Sequence, residues 1–387
     1  MHHHNTLLHG ILKPMPWGRL DRLVEEHEAD KGVTALSTKS QLVALLQAQL
    51  SGATSLREIE ATMASHATRL YHLGVKAPKR STLADANRNR PADVFVGLFE
   101  ALLAQAHPAL RRASKEAVRL VDSSSLPLSD LSNGWASYEA HGAGAKMHVV
   151  FDPQADTPVH FAVTAQRESD IGAAKDMPIE AGATYVFDLG YYDFTWWAKL
   201  MANGCRFVTR LKTHTKPKLV AERELPPDVA ARGRVIKDCT VRLGGRLKGT
   251  RKHPIDCQLR EVHVVIDTGK TLRIISNDLT SPAEVIADLY KTRWQIELFF
   301  RWVKQTLRIR KFLGTSENAV RIQITVALIA YLLLRIAKAA QTAIKSPLAF
   351  ARLVRSNLMH FKAISDLATP EPSPLKATTD QLQLALY

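Results

Sequence analysis

Two aspartates and one glutamate carry most of what this sequence could do chemically. Asp122 closes the short apolar run 117–121, Asp188 closes another at 184–187, and Glu297 stands in a long helical stretch among basic residues. Acids at strand ends and on a facing helix can hold two divalent cations about 4 Å apart. Carboxylate oxygens suit Mg²⁺, with Mn²⁺ able to substitute. One ion would activate a water or a 3′-hydroxyl and the other would stabilise the leaving oxygen. Any one of these acids alone is more often a strand-end or capping residue, so their spacing is not sufficient by itself. Asp130 and Asp193 are nearby competitors, but neither closes a strand.

The stretch around Glu297 is more specific. Tyr290, Arg293, Glu297 and Lys304 follow one another at intervals of 3, 4 and 7 residues. At about 100° per residue they share one helix face within roughly 60° of arc. Arg301 falls on the same face, while Ile296, Phe299 and Val303 point the other way as a core stripe. An acid ringed by cationic and hydroxyl groups fits a metal ligand whose neighbours hold phosphates. Arg293 would do so as a bidentate fork and Lys304 as a point charge. A salt-bridged surface helix would show the same pattern without the function.

The elements that must position these residues read as follows. Residues 1–110 are helical, with capping signals at Ser37 or Thr38 and at Ser55 with Glu58. A short helix near Ser81 carries Lys79, Arg80, Arg88 and Arg90, an arrangement suited to a helix-turn-helix-like DNA contact. The middle is α/β. Strands are expected over 117–121, 146–151, 159–164, 184–187 and 206–211, a helix over 191–202, and a hairpin over 261–276 around Thr268-Gly269. A single helix is expected from Ser281 to about Arg310, then one over 317–340 and a shorter one over 347–358, with a loose Pro- and Thr-rich tail after Ala368. No internal repeat is present.

Composition bounds the function. The chain has 387 residues, 46% of them apolar and 23% charged, which excludes wholesale disorder and disulfide scaffolds. Its longest strongly apolar run, 324–334, is short of the roughly 20 residues of a membrane span, so no membrane role is expected. Lys+Arg is 52 against 37 Asp+Glu, a net charge of +15, and a chain this basic points to nucleic acid. The excess sits in two stretches, +10 over 206–260 and +6 over 291–312. Three cysteines without paired spacing suggest a reducing compartment and no structural zinc. No secretory signal follows the N-terminus, so a cytoplasmic, nucleoid-associated protein is expected. His2–His4 are assigned no role.

Tyr290-x2-Arg293-x3-Glu297-x6-Lys304 resembles the YREK signature of bacterial insertion-sequence transposases. Asp188-Leu-Gly-Tyr-Tyr-Asp resembles their second-acid block, with Leu189 where Arg is common, and Asp122-Ser-Ser resembles the first. The stretch from His3 through Glu60, with Leu12-Lys-Pro-Met-Pro-Trp and Thr38-Lys-Ser-Gln, resembles the helical domain that precedes the catalytic core in one branch. The similarity covers about residues 3–345. It implies an α/β, ribonuclease H-like core over 111–345 with a DDE triad of Asp122, Asp188 and Glu297. It also implies a β-rich basic insertion at about 212–280, an all-α DNA-binding domain over 1–110 and a C-terminal helix and tail over 346–387. The implied reaction is cut-and-paste transposition using two Mg²⁺ ions, through hairpin ends. Partners would be the terminal inverted repeats, target DNA and a second copy in a synaptic dimer. The insertion is also where the family holds a flipped base, which needs an aromatic or apolar platform, yet it has no Trp, Phe or Tyr after Thr213. Two alternatives stay open: a DNA-binding relic that no longer cuts, and a nuclease of the same fold without strand transfer.

Overall fold

The computed structural model describes residues 5–110, 116–136, 143–244, 253–307 and 312–369. His2–His4, part of the basic stretch within 206–260, the end of the helix expected to reach Arg310, and the tail from 370 lie outside the described residues.

Seven helices come first: α1 (Leu7–Leu12), α2 (Trp17–Glu26), α3 (Thr38–Ser51), α4 (Leu56–Ser65), α5 (Ala67–Leu70), α6 (Arg80–Asn89) and α7 (Ala92–Leu110). Both capping signals are realised. Ser37 Oγ accepts from the Ser40 amide, and Ser55 Oγ accepts from that of Glu58. The Glu58 carboxylate reaches back to the Thr54 amide at 2.7 Å, one residue short of a standard capping box.

Next come β1 (Val118–Pro127), α8 (Asn133–Ala136), β2 (Gly144–Asp152), β3 (Thr157–Ala165), α9 (Asp170–Asp176), β4 (Thr184–Phe187), α10 (Phe194–Ala202) and β5 (Arg206–Arg210). After them come β6 (Lys218–Glu222), α11 (Pro227–Arg232), β7 (Val235–Arg242), β8 (Gln258–Val265) and β9 (Thr271–Ser276). The chain closes with α12 (Ala283–Thr292), α13 (Trp294–Thr306), α14 (Glu317–Ala339) and α15 (Pro347–Asn357).

All nine strands form one sheet in the order β3-β2-β1-β4-β5-β9-β8-β7-β6. The first three are antiparallel, β1 is parallel to β4 and β4 to β5, and β9 returns antiparallel to β5. The strands after the second acid thus extend the same sheet. Alternation along the strands divides the core. Leu120, Val186, Val208 and Ile274 face the side of α12, α13 and α14, while Val121, Phe187, Phe207 and Ile275 face the side of α9 and α10. α14 packs on α3, α6 and α7 as well as on α13. It is long and apolar enough to cross a membrane, but 83% of that window is buried inside the fold.

Two local expectations need correcting. Asp122 does not end its strand: β1 runs on to Pro127, and Asp122 pairs with Val149 in mid-ladder. Pairing with the long strand β2 holds Ser123–Ser125 extended despite their weak strand preference. The helix expected from Ser281 is two helices broken at Arg293. There the hydrogen bonds tighten to three-residue spacing, from the Arg293 amide to Tyr290 O and from the Ile296 amide to Arg293 O, both at 3.2 Å. The Thr292 hydroxyl donates back to Leu289 O at 2.6 Å, a local bond that competes with the helical ladder.

Candidate active site

The β1–β4 register sets the first two acids side by side. Val121 pairs with Phe187 in parallel, so the next residues on the two strands are Asp122 and Asp188. Asp188 leaves β4 and caps the turn over 189–191, its Oδ1 accepting from the Gly190 amide at 2.8 Å. α13 packs on β1, its Ile296, Phe299 and Val303 buried as the helical spacing predicts, with Phe299 against Phe151 of β2 at 5.0 Å. That packing turns Glu297 toward Asp122.

Arg293 joins them. Its guanidinium lies 2.5 Å from Glu297 Oε1 and 3.4 Å from Asp122 Oδ2. Asp122 Oδ1 also accepts from the Ser123 amide at 2.8 Å. Burial pushes the Asp122 carboxyl up to about 7; the Ser123 amide and Arg293 pull down, and the negative charges of Asp188 and Glu297 push up. The three sequence-predicted acids therefore share one electrostatic neighbourhood.

The remaining residues divide. Tyr290 is buried, with Arg293 6.0 Å from its ring centre and Asp188 and Arg210 within electrostatic range. Arg301 is exposed over the ring of Trp294 at 5.8 Å, and that Trp is itself half exposed. Lys304 is half-buried in the last turn of α13. Lys79, Arg80 and Arg88 are exposed around α6, where Lys79 pairs with Glu60 at 3.3 Å. Arg90 is a correction: it is buried, not presented to a ligand. It donates to Gln41 Oε1 at 2.9 Å and to Leu36 O, with Asp30 at 3.4 Å. Of the competing acids, Asp193 caps α10 and pairs with Lys175 at 2.8 Å, and Asp130 is exposed in a short turn.

Sequence reasoning missed a polar group beside the acids. Asp170, the first residue of α9, accepts from Ser123 Oγ at 2.8 Å and from Lys146 Nζ at 3.1 Å, with His148 Nδ1 at 3.9 Å. Part of its signal was available. Lys146 and His148 are two apart on one strand and so share a face, and Ser169-Asp170 reads as a helix start.

Among the described residues, no three acids, histidines or cysteines close on a single point; Arg293 lies between Asp122 and Glu297. The donor set still fits a hard divalent cation in kind, since its oxygens are all carboxylate and Asp122 is raised first by burial and then by the negative charges of Asp188 and Glu297. Gly190 adds a cradle, because a Cβ there would stand 3.0 Å from Asp188 Oδ1.

Comparison with known proteins gives the family of the chain. Residues 113–333 match the family described as Transposase DDE domain, and residues 3–76 match a domain of unknown function, DUF4372. The chain is 41% identical over 296 residues to a Sinorhizobium fredii protein named as transposase y4zB, covering 76% of this chain and 82% of that one. It is 30% identical over 258 residues to the protein named as transposase for insertion sequence element IS5377 of Geobacillus stearothermophilus, covering 66% of each. Among solved structures it resembles the piggyBac transposase synaptic complex with hairpin DNA at TM-score 0.42 and 10% identity, covering 97% of this chain and 81% of that one.

Proposed function

This chain belongs to the bacterial insertion-sequence transposases that carry a DDE domain, and from that premise we propose that it cleaves DNA at transposon ends and joins the freed ends to target DNA. The observation that supports the reading is the β1–β4 register that puts Asp122 and Asp188 on adjoining strands, with Arg293 bridging Asp122 to Glu297. The order β3-β2-β1-β4-β5, with its one antiparallel and one parallel half, supports a ribonuclease H-like reading of the core.

Asp122, Asp188 and Glu297 would hold two Mg²⁺ or Mn²⁺ ions, which supply activation of the attacking oxygen and stabilisation of the departing one. The chain's own groups do the positioning. Arg293 exchanges its carboxylate partners for a phosphate of the DNA, a swap that its planar fork suits. Tyr290 holds the Arg293 side chain from beneath, and Arg301 and Lys304 extend the cationic face along α13. Hydrolysis breaks the bond between phosphorus and the 3′-oxygen at the element's end, leaving a 3′-hydroxyl. In the cut-and-paste reading that hydroxyl attacks the opposite strand, forming a hairpin that is reopened before joining to target. The basic residues Lys79, Arg80 and Arg88 would bind the inverted repeats, and two copies would pair the two ends.

The test is cleavage of DNA bearing the element's own ends with Mg²⁺, comparing wild type with Glu297→Ala. The reading requires that wild type cuts at the end and that the variant binds without cutting. Equal cutting by both overturns the triad. Binding without cutting by either protein, in Mg²⁺ and in Mn²⁺, overturns the catalytic assignment.

A further inference from the structure

We propose that Asp170 is a positioning residue of the acid centre: it ties the Asp122 strand to the Asp188 turn and so sets the spacing at which those two acids receive a cation. The inference rests on the metal-dependent reading above.

Asp170 reaches both backbone segments at once. On one side its Oδ1 takes the Ser123 hydroxyl at 2.8 Å, while the amide of the same Ser123 donates to Asp122 Oδ1 at 2.8 Å. Both donors of Ser123 are thus committed, one to each aspartate. On the other side Asp170 Oδ2 faces the turn that carries Asp188. A Cβ added to Gly190 would stand 3.2 Å from Asp170 Oδ2 and 3.0 Å from Asp188 Oδ1, so the two carboxylates flank the same glycine. The absence of a side chain at Gly190 lets them approach.

The surroundings hold Asp170 in that place. Lys146 Nζ, anchored to Glu168 O at 2.8 Å, neutralises it at 3.1 Å. His148, fully buried, sits across the ladder from Ser123 with its Nε2 2.8 Å from Thr164 Oγ1 and its Nδ1 turned toward Asp170 without a hydrogen bond. The Thr164 hydroxyl also reaches Ala165 O at 3.2 Å, so it bridges His148 to the β3 backbone. The hydroxyl of Tyr191 completes the group. It is buried beside the Ser123 side chain and within electrostatic range of Asp122, Asp170 and Asp188.

The experiment titrates Mn²⁺ into the full chain without DNA, reading free Mn²⁺ by electron paramagnetic resonance, and measures the melting temperature without metal. The variants are Asp170→Ala, Asp170→Asn and the control Asp188→Ala. Outer partners of metal ligands typically carry a 10–100-fold effect on affinity. Asp170→Ala is expected to weaken Mn²⁺ binding by about tenfold with the metal-free melting temperature near wild type. Asp170→Asn, which keeps an acceptor for Ser123, is expected to recover most of the affinity. If Asp188→Ala abolishes binding while Asp170→Ala binds as wild type, the role of Asp170 is overturned and the acid centre stands. Equal weakening in both Asp170 variants with a lowered melting temperature also overturns it, in favour of a purely structural role. If wild type binds no Mn²⁺, or Asp188→Ala changes nothing, the metal reading falls and this inference with it.

Discussion

Arg293 donates to Glu297 one helical turn further on at 2.5 Å, and with its other terminal nitrogen it reaches across to Asp122. The guanidinium therefore neutralises the acid pair before any cation or phosphate arrives. Removing it should separate two functions. Arg293→Ala is expected to bind Mn²⁺ at least as tightly as wild type, because two carboxylates lose their internal counter-charge. Cleavage should nevertheless fall by about 100-fold, the scale of losing one donor aimed at a reacting group. Arg293→Lys should recover only part of the rate, since an ammonium cannot span two oxygens as a fork does. Parallel metal titration and cleavage assays would check this, and weaker metal binding in Arg293→Ala would contradict it.

The two arginines flanking Asn89 should behave in opposite ways. Arg90 is buried among Gln41, Leu36 and Asp30, so Arg90→Ala leaves polar groups stranded and should cost about 3 kcal/mol of stability. The DNA affinity of the folded fraction should not change. Arg88 is exposed, so Arg88→Ala should leave the melting temperature alone. It should reduce the slope of log affinity against log salt by about one. Denaturant melts and binding isotherms at several salt concentrations distinguish the pair.

How much of this was legible in the sequence depends on how local the cause was. Ile296, Phe299 and Val303 announced the buried face of their helix, and that face fixes the direction of Glu297. Ser55 and Glu58 announced a helix start. Asp122 was found by residue type but misplaced in its strand, because the extension to Pro127 depends on β2, which is distant in sequence. Arg90 looked like part of a basic cluster because its burial depends on Gln41 and Leu36, some fifty residues away. Asp170 gave only a helix-start signal. Its partners Ser123, Lys146 and His148 lie on two other strands, and nothing in its own neighbourhood hints at them.

Protonation of His148 should set part of the acid sensitivity. Burial lowers this imidazole to about 4, with Asp170 pulling back up and Lys146 adding to the lowering. Its folded value lies below its unfolded value of 6.5, so the unfolded chain binds the extra proton first. The stability from keeping His148 neutral is present above 6.5 and is lost as pH falls toward 4. That loss amounts to about 3 kcal/mol at most. Unfolding free energy measured across this range should fall more steeply with acid in wild type than in His148→Gln. Parallel curves would show that His148 does not carry the effect.

Gly190 should be replaceable in the backbone but not in the site. Its φ is not among the positive values that some other glycines of this chain adopt, so alanine meets no conformational penalty there. The new Cβ would instead press on Asp188 Oδ1 at 3.0 Å and on Asp170 Oδ2 at 3.2 Å, and an apolar methyl between two carboxylate oxygens must push one of them aside. Gly190→Ala is therefore expected to melt within a few degrees of wild type, as a change at a partly open turn should, and to bind DNA normally. Mn²⁺ affinity should fall by about tenfold, the range seen when ligand-orienting groups are disturbed. Gly182 is the comparison: its φ is +76° and a Cβ there would meet nothing within 4 Å, so Gly182→Ala should lower the melting temperature without touching metal affinity. If Gly190→Ala binds Mn²⁺ as wild type does, the close approach of Asp170 and Asp188 across this glycine has no part in holding the cation.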